Sequence, residues 1–224
     1  MAITTILSVV VVLGLIGLLV YFILYKAPPS TVTGQAIVPA VQEGTIQTTA
    51  NVKLPHSFNE PEGMVFSYSM WLLIKDFTTG FGKQRRILSK GDCPGVYIDS
   101  TSNGLIVSVD TFGTKETILI PNIPAMKWIH LAVVVNQQAV DIYINGTLRQ
   151  HHTLNQLPKQ NEEPVVLGPS WNGAIGQVYY YPRALTYSEI HTMATQDPPN
   201  YKVLSPAKPD YFDITWYTGR LNSS

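Results

Sequence analysis

The amino-acid sequence contains few charged residues, a single cysteine and none of the common catalytic motifs. Charged residues make up 13% of the 224 residues, and 15 basic side chains balance 15 acidic ones. The densest basic cluster, Lys83 with Arg85 and Arg86, is too small to predict a nucleic-acid partner. Because Cys93 is the only cysteine, the sequence excludes a disulfide framework. A glycine-rich phosphate loop, a Ser-His-Asp signature and a Cys-x-x-Cys pair are also absent, which argues against the enzyme classes that use them.

Charge is completely absent from residues 3–25, and most of these residues are apolar. A helix rising ~1.5 Å per residue over this run would be about 34 Å long, enough to cross a hydrocarbon core of ~30 Å. No basic residue precedes the run and no Ala-x-Ala site follows it, so we predict a retained transmembrane anchor. Since Lys26 follows the run, we expect the large domain on the cytosolic side. This predicts a single-pass membrane protein that contacts the lipid bilayer through residues such as Ile3, Leu13, Leu19 and Tyr25.

The composition divides the sequence into four segments. Residues 1–26 are the predicted transmembrane anchor, and residues 27–45, rich in Pro, Ser, Thr and Gly, predict an extended stalk. Residues 46–195 contain short β-type runs separated by turn residues. Residues 196–224 combine prolines, which disfavour regular structure, with several aromatic side chains. We therefore expect this C-terminal arm either to pack along its own domain or to lie on a partner.

The pattern of apolar residues in the third segment predicts many short strands and one helix. Val65–Ile74 alternates between apolar and other residues, and Trp128–Val135 is apolar on both faces, as in a strand covered from both sides. Thr186 and Glu189 form a capping-box pattern that predicts a helix from Tyr187 to about Ala194. Further strands are predicted at Leu105–Asp110, Thr117–Ile120, Val140–Asn145, Val165–Leu167 and Ile175–Tyr181. Many short strands with turn residues between them predict an antiparallel sandwich.

Four stretches of the sequence together resemble the laminin-G-like branch of the concanavalin A-like lectin/glucanase superfamily. They occur in the expected order over about residues 46–195, at Phe66–Trp71, Ile87–Asp92, Trp128–Gly146 and Gly173–Ile190. The resemblance implies an all-β fold, an antiparallel two-sheet jelly-roll sandwich, preceded here by the one predicted transmembrane helix. Because this fold carries enzymes, lectins and adhesion modules, the resemblance alone does not specify a function.

The resemblance also directs attention to carboxylates and calcium ligands. Glycosidases of the superfamily carry acids at alternate positions of one strand, whereas Glu60 and Glu62 here are separated by Pro61 in a predicted loop. We therefore predict no catalytic residues and no enzymatic activity. Many relatives hold calcium on an edge loop, but Gln177 stands where they often carry an acid. We predict no metal or other cofactor, and the best candidates for a calcium site are Asp92, Asp99 and Asn103.

Aromatic residues near loops are candidates for contact with a glycan or a protein partner. Sugar sites are commonly concave, with an aromatic floor and a few placed polar groups. Trp171 and Asn172, in a loop containing Gly and Pro, would supply both kinds of group. The competing interpretation is that Trp171 closes the edge of the core. We interpret His130 as a core or sheet-face histidine with its hydrogen bonds satisfied, and not as a catalytic residue. The complete set of candidate contact residues is Trp171, Asn172, Tyr211, Phe212 and Trp216.

Two functional hypotheses follow from these observations. In the first, which we prefer, the chain is a non-enzymatic structural protein that tethers a bilayer to neighbouring structural proteins. That overall plan is similar to minor capsid membrane proteins of large icosahedral DNA viruses, in which the domain would lie between the virion inner membrane and the capsid. In the second, the chain is a membrane-anchored, glycan-binding lectin. A glycoside hydrolase is a third alternative, which the missing carboxylate pair argues against.

Overall fold

The computed structural model describes residues 12–17, 21, 34–55 and 64–200 of the chain. The chain divides into two compact units, Met1–Thr33 and Gly34–Ser224. In the first unit, residues 12–17 and Tyr21 are helical and exposed to solvent. In the second unit, the described residues form two β-sheets and one helix.

The predicted single-pass membrane localisation is wrong. Across the described parts of the chain, no helix combines the length and the apolar character needed to cross a bilayer. Among the predicted anchor residues, Leu13 is described and exposed, whereas Ile3, Leu19 and Tyr25 lie outside the described residues.

The second unit contains thirteen strands and a helix within its described residues. In chain order they are β1 (Gln35–Val38), β2 (Gln42–Glu43), β3 (Thr48–Ala50), β4 (Val65–Ile74), β5 (Arg85–Ser89), β6 (Gly95–Ile98), β7 (Leu105–Val109), β8 (Glu116–Ile120), β9 (Trp128–Asn136), β10 (Ala139–Ile144), β11 (Thr147–Thr153), β12 (Val165–Leu167), β13 (Gly173–Tyr181) and α1 (Tyr187–Ala194). The larger sheet has the order β1-β13-β4-β9-β10-β11, with β2 also paired to β13. The smaller sheet has the order β3-β12-β5-β6-β7-β8.

All these strand pairs are antiparallel, so the predicted two-sheet sandwich is confirmed. The bounds of β4, β12 and α1 agree with those predicted from the sequence. The other predicted strands differ by one or two residues at an end. The alternation of apolar residues predicted β4, and the capping box predicted α1. Each pattern depends only on residues within or next to the element that it predicts.

The stretch that we expected to be a stalk, residues 27–45, contains β1 and β2 of the larger sheet. Ile37 and Val38 are buried, and β1 pairs with β13. The physical reason for the difference is that a strand of four residues is too short to show a clear alternation of apolar residues. Of the predicted C-terminal arm, residues 201–224 lie outside the described residues.

One hydrophobic core lies between the two sheets. Alternate side chains of β4 enter this core from the larger sheet, including Tyr68, Met70 and Leu72. A second apolar cluster lies on the outer face of the larger sheet, where Ala132 and Val134 of β9 pack against Ile190 of α1. Strand β9 is therefore covered on both faces, as its sequence predicted.

The helix α1 begins with a complete capping box. The Thr186 hydroxyl accepts from the backbone N–H of Glu189, and the Glu189 carboxylate accepts from the backbone N–H of Thr186 at 2.8 Å. The same carboxylate accepts two hydrogen bonds from the Arg183 guanidinium, at 2.9 and 2.5 Å. These contacts attach the start of α1 to the segment that follows β13.

We expect Glu189→Gln to destabilise the domain by about 1 kcal/mol at pH 7, because it removes a charged capping group. The hydrogen bonds from Arg183 are the largest contribution that lowers the pKa of Glu189, from 4.5 to about 2. A depressed pKa stabilises the folded state above the unfolded-state value of 4.5, and this stabilisation is lost as the pH falls toward 2. Urea denaturation between pH 7 and pH 2 should therefore show the difference between wild type and variant shrinking below pH 4.5.

The matched control is Glu163→Gln, which changes an exposed carboxylate away from α1 and should shift stability by no more than about 0.5 kcal/mol. A Glu189→Gln variant with wild-type stability at pH 7 would show that the capping network contributes nothing measurable.

Candidate functional site

A cavity of about 250 Å³ opens on the outer face of the larger sheet, beside α1. Strands β4, β9 and β13 form its floor, and the end of α1 with the residues after it forms one wall. The lining combines three aromatic rings with polar side chains, and its described residues are Ser69, Trp71, His130, Gln177, Tyr179, Tyr181, Met193 and Gln196.

Strand register brings the residues of the cavity floor together. Trp71 of β4 lies opposite His130 of β9, and Ser69 lies opposite Tyr179 of β13. Successive side chains of a strand point to opposite faces, so Ser69 and Trp71 share the outer face while Met70 enters the core. The Trp71 and His130 rings meet edge to face, with ring centroids 5.3 Å apart.

A β-bulge in β13 positions Gln177 at the cavity. The register of β13 against β4 shifts between Gly176 and Tyr179, and Gln177 adopts a positive φ of 49°. A bulge adds a residue to one strand and redirects a side chain, which here carries an amide. Gly176 leaves room for Val41 and Pro199, since an added Cβ would approach both at 3.2 Å.

The hydrogen bonds in the cavity involve a thioether as an acceptor. Ser69 Oγ lies 2.9 Å from His130 Nε2, and the Ser69 hydroxyl donates to Met193 Sδ at 3.7 Å. The Tyr181 hydroxyl donates to the same sulfur at 3.3 Å. The tautomer of His130 sets which of Ser69 Oγ and His130 Nε2 donates in this pair. The buried Nδ1 of His130 has no hydrogen-bond partner within the described residues.

Burial lowers the pKa of His130 to about 4, so the imidazole is neutral at pH 7. A Ser-His pair that performs nucleophilic catalysis needs a histidine with a pKa near the working pH and an acid that orients its second nitrogen. His130 has the opposite shift, and no described acid contacts its Nδ1. The arrangement is therefore better suited to hydrogen bonding than to proton transfer.

A second cavity, of about 420 Å³, lies near β3 and the loop before β12. Its described lining contains charged and aliphatic side chains but no aromatic ring. The Lys90 ammonium in this lining donates to the backbone and side-chain oxygens of Asn161, which attaches one loop to another. This cavity is larger, but it lacks the aromatic surface that favours a sugar.

The candidate residues Trp171 and Asn172 do not line the outer-face cavity. The Trp171 side chain is fully buried, and Gly44 and Gly173 pack directly against its ring. The Asn172 amide donates to the Asp76 carboxylate at 2.5 Å, so it is engaged in holding two loops together. This arrangement matches the competing interpretation, in which Trp171 closes the core. The other candidates, Tyr211, Phe212 and Trp216, lie outside the described residues.

The candidate calcium ligands make separate local contacts. The Asp92 carboxylate accepts from Tyr97 and Ser108 and pairs with Lys115 at 3.2 Å. The hydrogen bond from the Tyr97 hydroxyl and the nearby Lys115 lower the Asp92 pKa, although burial acts in the opposite direction. Asp99 accepts from Ser102, and the backbone oxygen of Asn103 accepts from Ile123. Within the described ranges, no cluster of three or more His, Cys, Asp or Glu residues could hold a metal ion.

Solved structures with a similar fold include binding domains of botulinum neurotoxins and of Paraclostridial Mosquitocidal Protein 1. The botulinum neurotoxin serotype D binding domain has a TM-score of 0.56 and 13% identity, covering 69% of this chain and 41% of that one. The ligand binding domain of serotype D in complex with N-acetylneuraminic acid has a TM-score of 0.57 and 14% identity, with coverages of 69% and 42%. The binding domain of Paraclostridial Mosquitocidal Protein 1 has a TM-score of 0.51 and 18% identity, with coverages of 70% and 47%.

This chain therefore spans less than half the length of each of these solved chains. At such low identities the likeness shows the fold alone. No curated protein matches the sequence.

A family model matches residues 46–191, which is more than half of the chain. The matched range includes both sheets except β1 and β2, together with the first part of α1. It also contains all the strand residues that form the floor of the outer-face cavity. The chain belongs to the concanavalin A-like lectin/glucanases superfamily.

Proposed function

We propose that this domain is a lectin that binds a glycan in the cavity on the outer face of its larger sheet. The observation that carries the proposal is the combination of three aromatic rings with polar side chains in one concave site. Trp71, Tyr179 and Tyr181 supply the rings, and Gln177 and Gln196 supply amides that both donate and accept.

This combination fits the chemistry of a sugar. The C–H faces of a sugar ring are apolar and pack against aromatic side chains, while its hydroxyl groups need both donors and acceptors. Tyrosine and tryptophan also provide large contact areas with few rotatable bonds, so ordering them costs little entropy. The serotype D ligand binding domain, which shares this fold over 42% of its length, was solved in complex with N-acetylneuraminic acid, and this supports the proposal of a sugar ligand.

Recognition without cleavage is part of the proposal. Glycosidases that use two carboxyl groups hold them on both sides of the bond that they break. The described lining of the cavity contains no carboxylate, and the Ser69–His130 pair has a histidine that is a weak base. The tethering hypothesis drawn from the sequence required a bilayer span, so we do not extend it to the domain.

We expect Tyr179→Ala to weaken glycan binding by about tenfold, equivalent to about 1.4 kcal/mol, because it removes one of the aromatic surfaces of the cavity. The side chain is only half-buried, so its removal should leave the sandwich folded. A glycan array with the full chain would first identify a ligand, and isothermal titration calorimetry would then compare wild type with variant.

Two further variants make this experiment specific. Tyr179→Phe keeps the ring and should bind almost as well as wild type. Tyr187→Ala removes an exposed tyrosine on α1 outside the cavity and should not change binding. Binding that survives Tyr179→Ala unchanged, or an array with no bound glycan, would contradict the proposed function.

A further inference from the structure

We infer that the second cavity, of about 420 Å³, is a docking site for an extended peptide, which adds as a strand along residues 51–54. This inference goes beyond glycan binding and does not depend on it, because the described linings of the two cavities have no residue in common. Its basis is an interrupted strand ladder, whose open edge faces the cavity, together with opposite charges on the two cavity walls.

Strand β12 directs alternate backbone groups to β5 and to β3. The Gly168 N–H, which follows β12, donates to Ile87 of β5 at 3.1 Å. The N–H and C=O of one peptide group point in opposite directions, so the Leu167 C=O is directed to β3. By the strand period, Val165 faces β3 as well, where it lies opposite Ala50. The β3–β12 ladder therefore ends on a pair that exchanges hydrogen bonds.

Beyond that pair the ladder is interrupted. The next bonded pair in the same register would join Val52 to Glu163. The Glu163 N–H donates instead to Asn161 Oδ1 at 3.0 Å, and the Lys90 ammonium donates to the same oxygen at 3.2 Å. The backbone groups of Val52 make no hydrogen bond within the described residues. The two segments continue without pairing, and the cavity lies between them.

The segment that follows β3 keeps the alternation of a β-strand. The side chains of Asn51 and Lys53 are exposed, and those of Val52 and Leu54 pack against the core. The Lys53 C=O accepts from the Gln35 side chain at 3.1 Å, on the side of β1. The Leu54 N–H belongs to the same peptide group, so it points the opposite way, to the side of the cavity. One edge of this segment is thus held and the other is open.

The open edge specifies the chemistry of its occupant. Donors and acceptors follow one another along it at the spacing of an extended backbone, so a polypeptide strand can satisfy them in register. The cavity volume lies within the range of about 300–1,000 Å³ that is common for ligand sites.

The two walls of the cavity carry opposite charges. Lys53 lies on one wall and Glu163 on the other, and neither forms an ion pair within the described ranges. An antiparallel peptide with an acidic residue opposite Lys53 and a basic residue two positions later would complement both charges. The occupant is therefore a short extended peptide that carries one residue of each charge between apolar residues.

The experiment uses the acetylated and amidated pentapeptide Thr-Val-Asp-Val-Lys, whose aspartate would lie opposite Lys53 in the antiparallel register. Calorimetry measures its binding to the full chain, and amide hydrogen exchange followed by NMR measures protection of Val52 and Leu54. We expect the peptide to bind and both amides to exchange at least about tenfold more slowly in the complex. N-methylation of the second valine removes the N–H that would pair with the Val52 C=O, and should weaken binding by about tenfold.

A charge-exchange experiment tests the predicted register. The peptide Thr-Val-Lys-Val-Asp, with the same end groups, should bind about threefold more weakly than the first peptide, because its lysine would lie opposite Lys53. Lys53→Glu should reverse the order of the two peptides. Lys127→Glu changes an exposed lysine outside the cavity lining and should leave the order unchanged.

Several outcomes would overturn the inference, and they differ from failure of the lectin proposal. Protection of the Val52 and Leu54 amides in the free chain would show that the chain itself already covers this edge. Equal binding of the N-methylated peptide would show that backbone pairing is not used, and binding of none of the peptides would exclude the site. Loss of peptide binding in Tyr179→Ala would place the peptide in the outer-face cavity instead.

Discussion

Replacing Trp171 with alanine is expected to destabilise the domain by about 3–5 kcal/mol, the range for removal of a large buried aromatic side chain. The ring is completely buried in the core, and the backbones of Gly44 and Gly173 pack against it. Because these contacts are made by backbone atoms, the surroundings cannot easily collapse into the cavity that the substitution leaves. Chemical denaturation followed by tryptophan fluorescence and circular dichroism would measure the change.

Two comparisons make this result interpretable. Trp171→Phe should cost less, about 1–3 kcal/mol, because it retains a ring and removes an indole N–H that has no hydrogen-bond partner within the described residues. Phe112→Ala, which truncates a side chain that is 72% exposed, should change stability by no more than about 0.5 kcal/mol. A Trp171→Ala variant as stable as wild type, but unable to bind a glycan, would return Trp171 to the binding site and contradict its structural role.

Gly173→Ala is expected to destabilise the domain by about 3 kcal/mol, at the upper end of the cost of overpacking. A Cβ at this position would collide with the backbone carbonyl oxygen of Leu73 and with the Trp171 ring. Gly173 lies opposite Ile74 at the start of the β13–β4 pairing, so relief of the clash requires movement of a central strand pair. The thermal unfolding midpoint of the purified variant would report the loss.

Gly113→Ala is the matched control. There the nearest atom to an added Cβ is Cγ of Gln156 at 3.0 Å, which belongs to a flexible side chain that can move away. We expect a change of no more than about 0.5 kcal/mol. Equal effects of the two alanine substitutions would mean that the close approach at Gly173 does not constrain the fold.

Much of the sandwich could be predicted because its signals are local. Residues of β4 alternate between core and outer face, β9 is apolar throughout, and Thr186 with Glu189 marks the start of α1. Each pattern depends on the strand or helix period within one element, so a single sequence is sufficient to detect it. The strands β1 and β2 escaped detection because they are short and gain their stability from pairing with β13.

The candidate site was predicted only in part. Tyr179 and Tyr181 lie two positions apart in the predicted strand Ile175–Tyr181, so the strand period places them on one face, and both residues line the outer-face cavity. Ser69 and Trp71 belong to the predicted strand Val65–Ile74 and lie on the face opposite Met70. The alternation of this strand does not distinguish residues that line a cavity from residues that are covered by another element. Trp171 gave a misleading signal, because its neighbouring Gly and Pro residues indicate a surface loop while the ring itself is directed inward.

The apolar run at residues 3–25 predicted a bilayer span from its length. Within the described parts of the chain, no helix is long and apolar enough to cross a membrane. Hydropathy measures the tendency of a segment to leave water, and it does not specify the element that the segment forms.

By itself, the sequence determined the fold class, the positions of most strands, the capped helix and the lack of a paired-carboxylate motif. Only the tertiary structure decided that Trp171 belongs to the core and that Ser69, His130, Tyr179 and Met193 meet around one cavity. The physical reason is the separation along the chain of the residues that interact. Strand and helix periodicity acts between residues a few positions apart, whereas this cavity joins residues 69 and 193 through strand register and helix packing.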